Sequence, residues 1–259
     1  MEGALKNEIL LDLPTLAQYL AQILPDTIAD YCPNGIQVEG SRSIAHLATA
    51  VTASLATIEK AVENKVDALL VHHGIFWNKD KYEITGVKRQ KIKLLLDNGI
   101  SLLSYHLPLD AHREYGNNWK AARALNLQEL EPFGLYQGTH IGVKGVLPPM
   151  SRQKFKEQLE LYYLHPAYCA WGGPEQITSV GIISGGAHGS IREAVAHQLD
   201  CYVTGSFDEP IWHTAHEEKI NFYAMGHSAT ERIAPQAIGE HLSQYFRIRH
   251  TFIDIPNPF

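Results

Sequence analysis

Three short apolar runs in this chain end in the same kind of residue. Asp67-Ala-Leu-Leu-Val71 leads into His72-His73 and Gly74. Ile100-Ser-Leu-Leu-Ser-Tyr105 leads into His106 and reaches Asp110, and Ile220-Asn-Phe-Tyr-Ala-Met225 leads into Gly226-His227 and reaches Glu231. Imidazole nitrogen together with Asp and Glu oxygen is a ligand set for the divalent transition metals used in hydrolysis. Neighbouring strand ends in an open α/β sheet converge on one crevice, so groups distant in sequence can meet there. The pattern points to a catalytic metal site, expected to hold two ions.

Each of these groups also has an ordinary structural use. Adjacent strand residues point to opposite faces, so His72 and His73 share a crevice only if the strand ends and the chain turns at Gly74. Otherwise one is an exposed loop histidine and the other is satisfied by hydrogen bonds. Pro108 argues against regular helix between His106 and Asp110 and for an extended or turning loop. There Asp110 offers a metal an anionic oxygen or caps a turn. His106 serves as a ligand, as an orienting partner or as a proton carrier, and His112 is a weaker candidate. His227 and Glu231 are four apart where a helix from Ser228 to Ile238 is expected to begin, which allows both side chains one face. Glu231 has two oxygens with which to bridge a pair of cations, or it simply suits the first helical turn. Three strand ends carrying such groups together favour the metal.

The elements that must position these groups alternate in type. The pattern predicts a helix over Leu13–Leu24, a turn at Asp30-Tyr-Cys-Pro-Asn-Gly35, and a strand over Ala45–Ala53. A helix over Leu55–Asn64, a strand over Asp67–Val71 and a helix over Val87–Asp97 follow, then the strand Ile100–Tyr105 and a helix starting near Asn117-Asn118. Residues 130 to 177 are broken by glycines and prolines into short strands and turns, with one helix expected over Ser151–Leu161. Val180–Ser184, Ser190–Gln198 and Asp200–Thr204 then repeat strand, helix, strand. At an offset of 133 residues Ile58-Glu-Lys-Ala-Val62 falls on Ile191-Arg-Glu-Ala-Val195, and Asp67 falls on Asp200. The expected fold is therefore α/β: two related α/β halves with mainly parallel sheets and a small inserted region. The expected boundaries are 1–129 for the first half, 130–177 for the insertion and 178–259 for the second half. Ser184-Gly-Gly-Ala-His-Gly189 has the composition of a phosphate-cradling loop but matches neither the Walker nor the dinucleotide pattern, so a tight strand-to-helix turn is expected. Phe76-Trp77 is expected to wall a pocket or to pack.

Composition narrows the class. With 45% apolar and 19% charged residues the chain is an ordinary globular sequence, and its net charge of −6 argues against general affinity for nucleic acid or anionic membrane. No apolar run reaches about 18 residues. The opening Met-Glu-Gly-Ala-Leu-Lys-Asn-Glu lacks the order of a secretory signal. Cys32, Cys169 and Cys201 are scattered without Cys-x-x-Cys spacing, which fits reduced thiols and a cytoplasmic location rather than a disulfide framework or a structural zinc cluster.

Several stretches resemble the NIF-three-like family, whose bacterial members go by the name GTP cyclohydrolase I type 2 homologue. They are Asp30-Tyr-Cys-Pro-Asn-Gly-Ile-Gln-Val-Glu-Gly40, Val71-His-His-Gly-Ile-Phe-Trp77, His106-Leu-Pro-Leu-Asp-Ala-His112, Gly226-His-Ser-Ala-Thr-Glu-Arg232 and Phe252-Ile-Asp-Ile-Pro-Asn-Pro258. The resemblance spans nearly the whole chain. It implies a dinuclear metal centre with His72, His73, Asp110, His227 and Glu231 as ligands and Glu231 bridging, the ions being zinc, iron or manganese. It also implies a homohexameric ring with the sites facing an inner cavity. Ser228 stands where the family usually has a second histidine. The family name implies opening of the imidazole ring of GTP with loss of formate, for which His106 and Glu231 are the expected catalytic residues and Lys88, Arg89 or Arg232 candidate phosphate contacts. Two other functions fit the same residues: hydrolysis of a phosphoester, and a ring-forming interaction or regulatory protein whose metals are structural.

Overall fold

A computed structural model describes residues 11–40 and 43–259. The opening residues, read above for a signal pattern, lie outside this range. From the amino-terminal side the chain forms β1 (Leu11–Asp12), α1 (Leu13–Ile23), β2 (Gly35–Val38), β3 (Ser43–Ile44), β4 (His46–Thr52), α2 (Leu55–Glu63), β5 (Ala68–His73), α3 (Gly86–Asp97) and β6 (Ser101–Ser104). It continues through α4 (Leu107–Ala111), α5 (Asn117–Ala124), β7 (Gln128–Tyr136), β8 (Thr139–Ser151), α6 (Arg152–Tyr163), β9 (Tyr168–Trp171) and β10 (Gln176–Ile182). Last come α7 (Ile191–Ala196), β11 (Cys201–Thr204), α8 (Pro210–Glu217), β12 (Asn221–Ala224), α9 (His227–Glu231), α10 (Ile233–Phe246) and β13 (Arg249–Phe252). Among the described residues no helix is long and apolar enough to cross a membrane, and the three cysteines are thiols rather than disulfides.

The described residues divide into two compact units, the first made of residues 11–25, 31–40, 43–105 and 239–254 and the second of 26–30, 106–238 and 255–259. These limits differ from the three consecutive segments expected from the pattern of elements (1–129, 130–177 and 178–259). Two pairings explain the difference. The carboxy-terminal β13 pairs with β4 and so belongs to the first unit, while β7, β8 and β9 of the glycine- and proline-rich region join the sheet built by β10, β11 and β12.

In the first unit the sheet order is β13-β4-β5-β6-β2, parallel except for β2. Leu47, Leu69 and Leu102 on its central strands are buried, as are Leu16 and Leu20 of α1. Helix α1 starts where Asp12 Oδ1 accepts from the Thr15 amide at 2.7 Å, with Pro14 in a first-turn position that needs no amide donor. In the second unit the order is β7-β8-β10-β11-β12-β9. Its parallel centre, β10-β11-β12, is flanked by antiparallel strands on both sides. The long hairpin β7–β8 supplies one flank, turning at Gln137-Gly138, both at positive φ. The core under this sheet gathers Phe155, Leu159, Val180, Val203 and Tyr223.

The two parallel centres share a register and a clamp. Leu47 pairs with Ala68 in β4–β5, and Val180 pairs with Cys201 in β10–β11, the same offset of 133 at both positions. Asp67 Oδ2 accepts from the Ala45 and His46 amides, each at 2.8 Å. Asp200 Oδ2 accepts from the Thr178 and Ser179 amides at 2.7 and 3.1 Å, the positions that correspond. Each aspartate thus satisfies amides at the start of the neighbouring strand that would otherwise lack an acceptor.

Stability of the first sheet is expected to fall with acid through two histidines where β4 pairs with β13, His46 on β4 and His250 on β13. Arg249 donates to His46 Nδ1 at 2.7 Å, which leaves Nε2–H to donate to Thr251 Oγ1 at 2.9 Å. His250 Nε2 lies 2.8 Å from Thr49 Oγ1. Burial, and for His46 also the adjacent Arg249 charge, holds both pKa values below the ordinary 6.5, while Glu240 opposes the shift at His250. A folded pKa below the unfolded one means that the unfolded chain takes up the proton first. The stabilisation is therefore complete above 6.5 and is lost as the pH falls from there through the folded values. Urea unfolding between pH 8 and pH 5 should show this loss, and the paired substitution His46→Gln and His250→Gln should flatten the profile. An equally steep profile in the paired variant would place the titrating groups elsewhere.

Candidate metal centre

Strand β5 ends in His72 and His73, and the local sequence decides how they stand. The His72 ring is fully buried, and its Nδ1 lies 3.2 Å from the Tyr105 carbonyl oxygen. A carbonyl only accepts, so Nδ1 carries the proton and Nε2 presents its lone pair, the tautomer a metal requires. His73 Nδ1 is 3.0 Å from Thr52 Oγ1. The rings are 4.7 Å apart and tilted by 46° rather than on opposite faces, because the strand stops here and the chain turns at Gly74. Gly74 lets Gln37 approach closely: a Cβ there would overlap the Gln37 amide group, which would have to give up its place.

Gln37 belongs to the segment that begins Asp30-Tyr-Cys-Pro-Asn-Gly35, and it fastens that segment to the histidine loop. Its Oε1 accepts from the Ile75 amide at 2.8 Å, and its Nε2 donates to the Pro33 carbonyl at 3.0 Å and towards Cys32 Sγ at 3.7 Å. The buried Cys32 thiol lies 3.4 Å from Ser104 Oγ, which donates to the His72 carbonyl at 3.1 Å. Cys32 thus packs behind His72 as part of its support.

The segment after β6 is helical where an extended or turning loop is expected from Pro108. Helix α4 accommodates the proline because it occupies the first turn, where no amide hydrogen bond is lost. Asp30 takes two donors at the start of α4: the Leu107 amide donates to Oδ2 at 2.9 Å, and His106 Nδ1 donates to Oδ1 at 2.8 Å. Asp110 is 5% exposed, and its Oδ1 accepts from Asn117 Nδ2 at 2.8 Å and Ser184 Oγ at 2.9 Å. Asn117 Oδ1 also accepts from the Ala234 amide, and Asn118 Oδ1 from the Ser184 amide. His112 is a turn residue whose Nδ1 accepts from the Glu114 and Tyr115 amides.

After β12 the chain turns at Gly226, φ +85°, into α9, and the helix breaks at Arg232 before α10 instead of running unbroken from Ser228 to Ile238. His227 Nε2 and Glu231 Oε1 are 3.2 Å apart, as their spacing of four predicts. The loop from Ser184 to Gly189 is the expected tight turn, and its first glycines press on this pair. Gly185, at φ +67°, has no room for a Cβ, which would overlap Glu231 Oε1 and lie 3.4 Å from His227 Nε2. The Gly185 amide donates to Thr230 Oγ1 at 3.0 Å, and its carbonyl accepts from the Gly205 and Ser206 amides, each at 3.0 Å. Residue types alone do not reveal Asp30, Asn117, Ser184 and Gly185. The visible hints are two consecutive buried asparagines opening a helix and a glycine pair directly after a strand.

His72, His73, His106, His227 and Glu231 each present an atom able to bind a metal ion. The donor chemistry fits a divalent transition metal: a tautomer-fixed imidazole at His72, and imidazole beside carboxylate at His227 and Glu231. Lys88, one of the candidate phosphate contacts, is engaged otherwise, with its Nζ donating to the Lys81 carbonyl at 3.0 Å and lying over the Phe76 ring.

The fold and these side chains define a mixed α/β protein with histidine–carboxylate donor sets at its strand ends. The chain belongs to the Duf34/NIF3 (NGG1p interacting factor 3) family, whose model matches residues 12–258. It is 46% identical over 252 residues to a Chlamydia muridarum protein named GTP cyclohydrolase 1 type 2 homolog, covering 96% of this chain and 100% of that one. A Pseudomonas aeruginosa protein of the same name is 42% identical over 233 residues, 89% of this chain and 92% of that one. Among solved structures, TTHA1606 from Thermus thermophilus superposes with a TM-score of 0.89 at 32% identity, covering 96% of this chain and 100% of that one. The protein ybgI, described as of unknown function, does so with a TM-score of 0.91 at 36% identity and the same coverage.

Proposed function

We propose that this protein is a metal-dependent hydrolase of a purine nucleotide, with His72, His73, Asp110, His227 and Glu231 holding two divalent ions. The observation that carries the proposal is the His227–Glu231 pair, 3.2 Å apart and enclosed by a glycine that leaves its carboxylate just enough room. Bound divalent ions supply Lewis acidity and hydroxide near neutral pH. The protein's own residues supply orientation and a proton. The Tyr105 carbonyl fixes the His72 tautomer, and Asn117 and Ser184 fix the Asp110 carboxylate. Asp30 holds His106 by Nδ1, so that Nε2 can take a proton from water or return one to a leaving nitrogen. The names of the relatives support GTP as the nucleotide: one water would add at C8 and open the imidazole ring, a second would release that carbon as formate, and the freed amine would close on the rearranged ribose chain with loss of water to give the pterin.

The test is turnover of GTP by protein loaded separately with zinc, manganese and ferrous iron, following formate release and pterin fluorescence. Formate and pterin are expected in step with at least one metal. No product with any of the three, at confirmed occupancy, rejects GTP as the substrate.

A further inference from the structure

An aromatic series leads from the buried His72 to the surface of the first unit. The His72 and His73 rings are 4.7 Å apart, His73 and Trp77 5.9 Å, and Trp77 and Tyr31 5.8 Å at an interplanar angle of 29°. Burial falls along the series: His72 is fully enclosed, His73 and Trp77 are half-buried, and Tyr31 is 46% exposed. The outer pair is fixed by backbone, since the Asn78 amide donates to the Tyr31 carbonyl at 2.9 Å and the Asp80 amide to the Trp77 carbonyl at 2.9 Å. Lys88 steadies the same loop through the Lys81 carbonyl and the Phe76 ring. The ammonium groups of Lys79 and Lys81 stand in an exposed stretch of the loop, in a protein whose net charge is −6.

We infer that Tyr31 and Trp77 form a stacking platform for the planar heteroaromatic ring of an anionic ligand, with Lys79 and Lys81 meeting its phosphate. Pre-fixed rings lose little conformational entropy when a flat ligand settles on them, and stacking tolerates any base because each has a π face. A pair kept only for packing has no need of a half-exposed outer ring on a backbone-pinned loop. Trp77, the inner ring of the pair, lies 5.9 Å from His73, so the platform adjoins a residue proposed as a ligand. This inference rests on the nucleotide reading above and makes it specific, assigning base recognition to these two side chains.

The experiment is calorimetric titration of metal-loaded protein with guanosine monophosphate and, as a probe lacking the ring, ribose 5-phosphate. Tyr31→Ala and Trp77→Leu are each expected to weaken guanosine monophosphate binding about tenfold, and Tyr31→Phe to restore it. Ribose 5-phosphate affinity should not change in any variant. Metal content and melting temperature of each variant show that the fold and ions are retained. No detectable binding of guanosine monophosphate by the unaltered protein overturns the platform. So does unchanged binding in both truncations, or an equal loss for ribose 5-phosphate. Ring-dependent binding without GTP turnover upholds the platform while rejecting GTP hydrolysis, so the two proposals fail separately.

Discussion

Replacing Glu231 by alanine is expected to lower metal affinity by more than about 100-fold, because even residues that only orient a ligand are worth 10–100-fold. Its carboxylate is almost wholly buried, and its Oε1 faces His227 Nε2 at 3.2 Å. Glu231→Gln is the second variant, keeping size and hydrogen bonding while removing the charge. Neither should unfold α9, because Thr230 holds the neighbouring turn through the Gly185 amide and the Gly226 carbonyl. The contrast appears on adding metal. An ion at about 100 times its Kd stabilises the parent by about 2.7 kcal/mol, and the variants should gain far less. Thermal melting with and without zinc, together with metal content by mass spectrometry, reads both effects. Unchanged metal content and an unchanged zinc-induced shift would remove Glu231 from the ligand set.

What the sequence made legible follows from how locally each feature is encoded. His72-His73 and His227…Glu231 stand out because strand end and helical spacing are short-range properties: the imidazole and carboxylate of the second pair meet as a spacing of four predicts, and the rings of the first lie side by side because the strand ends there. The ungapped offset of 133 made the repeat visible, but its reason, a carboxylate clamping two amides at Asp67 and at Asp200, emerges only in three dimensions. Asp30 and His106 are 76 residues apart, and Ser184 and Asp110 are 74 apart, so no local pattern ties either pair. Pro108 misled because its cost depends on position: inside a helix it breaks a hydrogen bond, whereas in the first turn it loses none. The antiparallel flanks of the second sheet were hidden for another reason. Glycines and prolines mark turns well, but they do not say which sheet the strands between them will join.

The Ser184–Gly189 loop offers the sharpest separation between a packing requirement and a loop of no consequence. Gly185→Ala is expected to destabilise the protein by about 2–4 kcal/mol, combining the strain of an L-residue at positive φ with overpacking against the Glu231 carboxylate. The added methyl would fall on Glu231 Oε1, and the backbone cannot retreat easily. Its carbonyl is held by the Gly205 and Ser206 amides and by Thr204 Oγ1 at 3.2 Å, and its amide by Thr230. The softer response is rotation of Glu231 away from His227, which should cost metal affinity on the order of the 10–100-fold seen when a ligand's support is removed. Gly189→Ala is the control, since a Cβ there meets nothing within 4 Å and the residue is not at positive φ, so its effect should stay within about 0.5 kcal/mol. Urea unfolding and metal titration of both variants distinguish the cases. If Gly185→Ala matched Gly189→Ala in both measurements, the loop would not be holding Glu231 in place. If stability fell while metal affinity held, the turn would be needed by the fold but not by the ion.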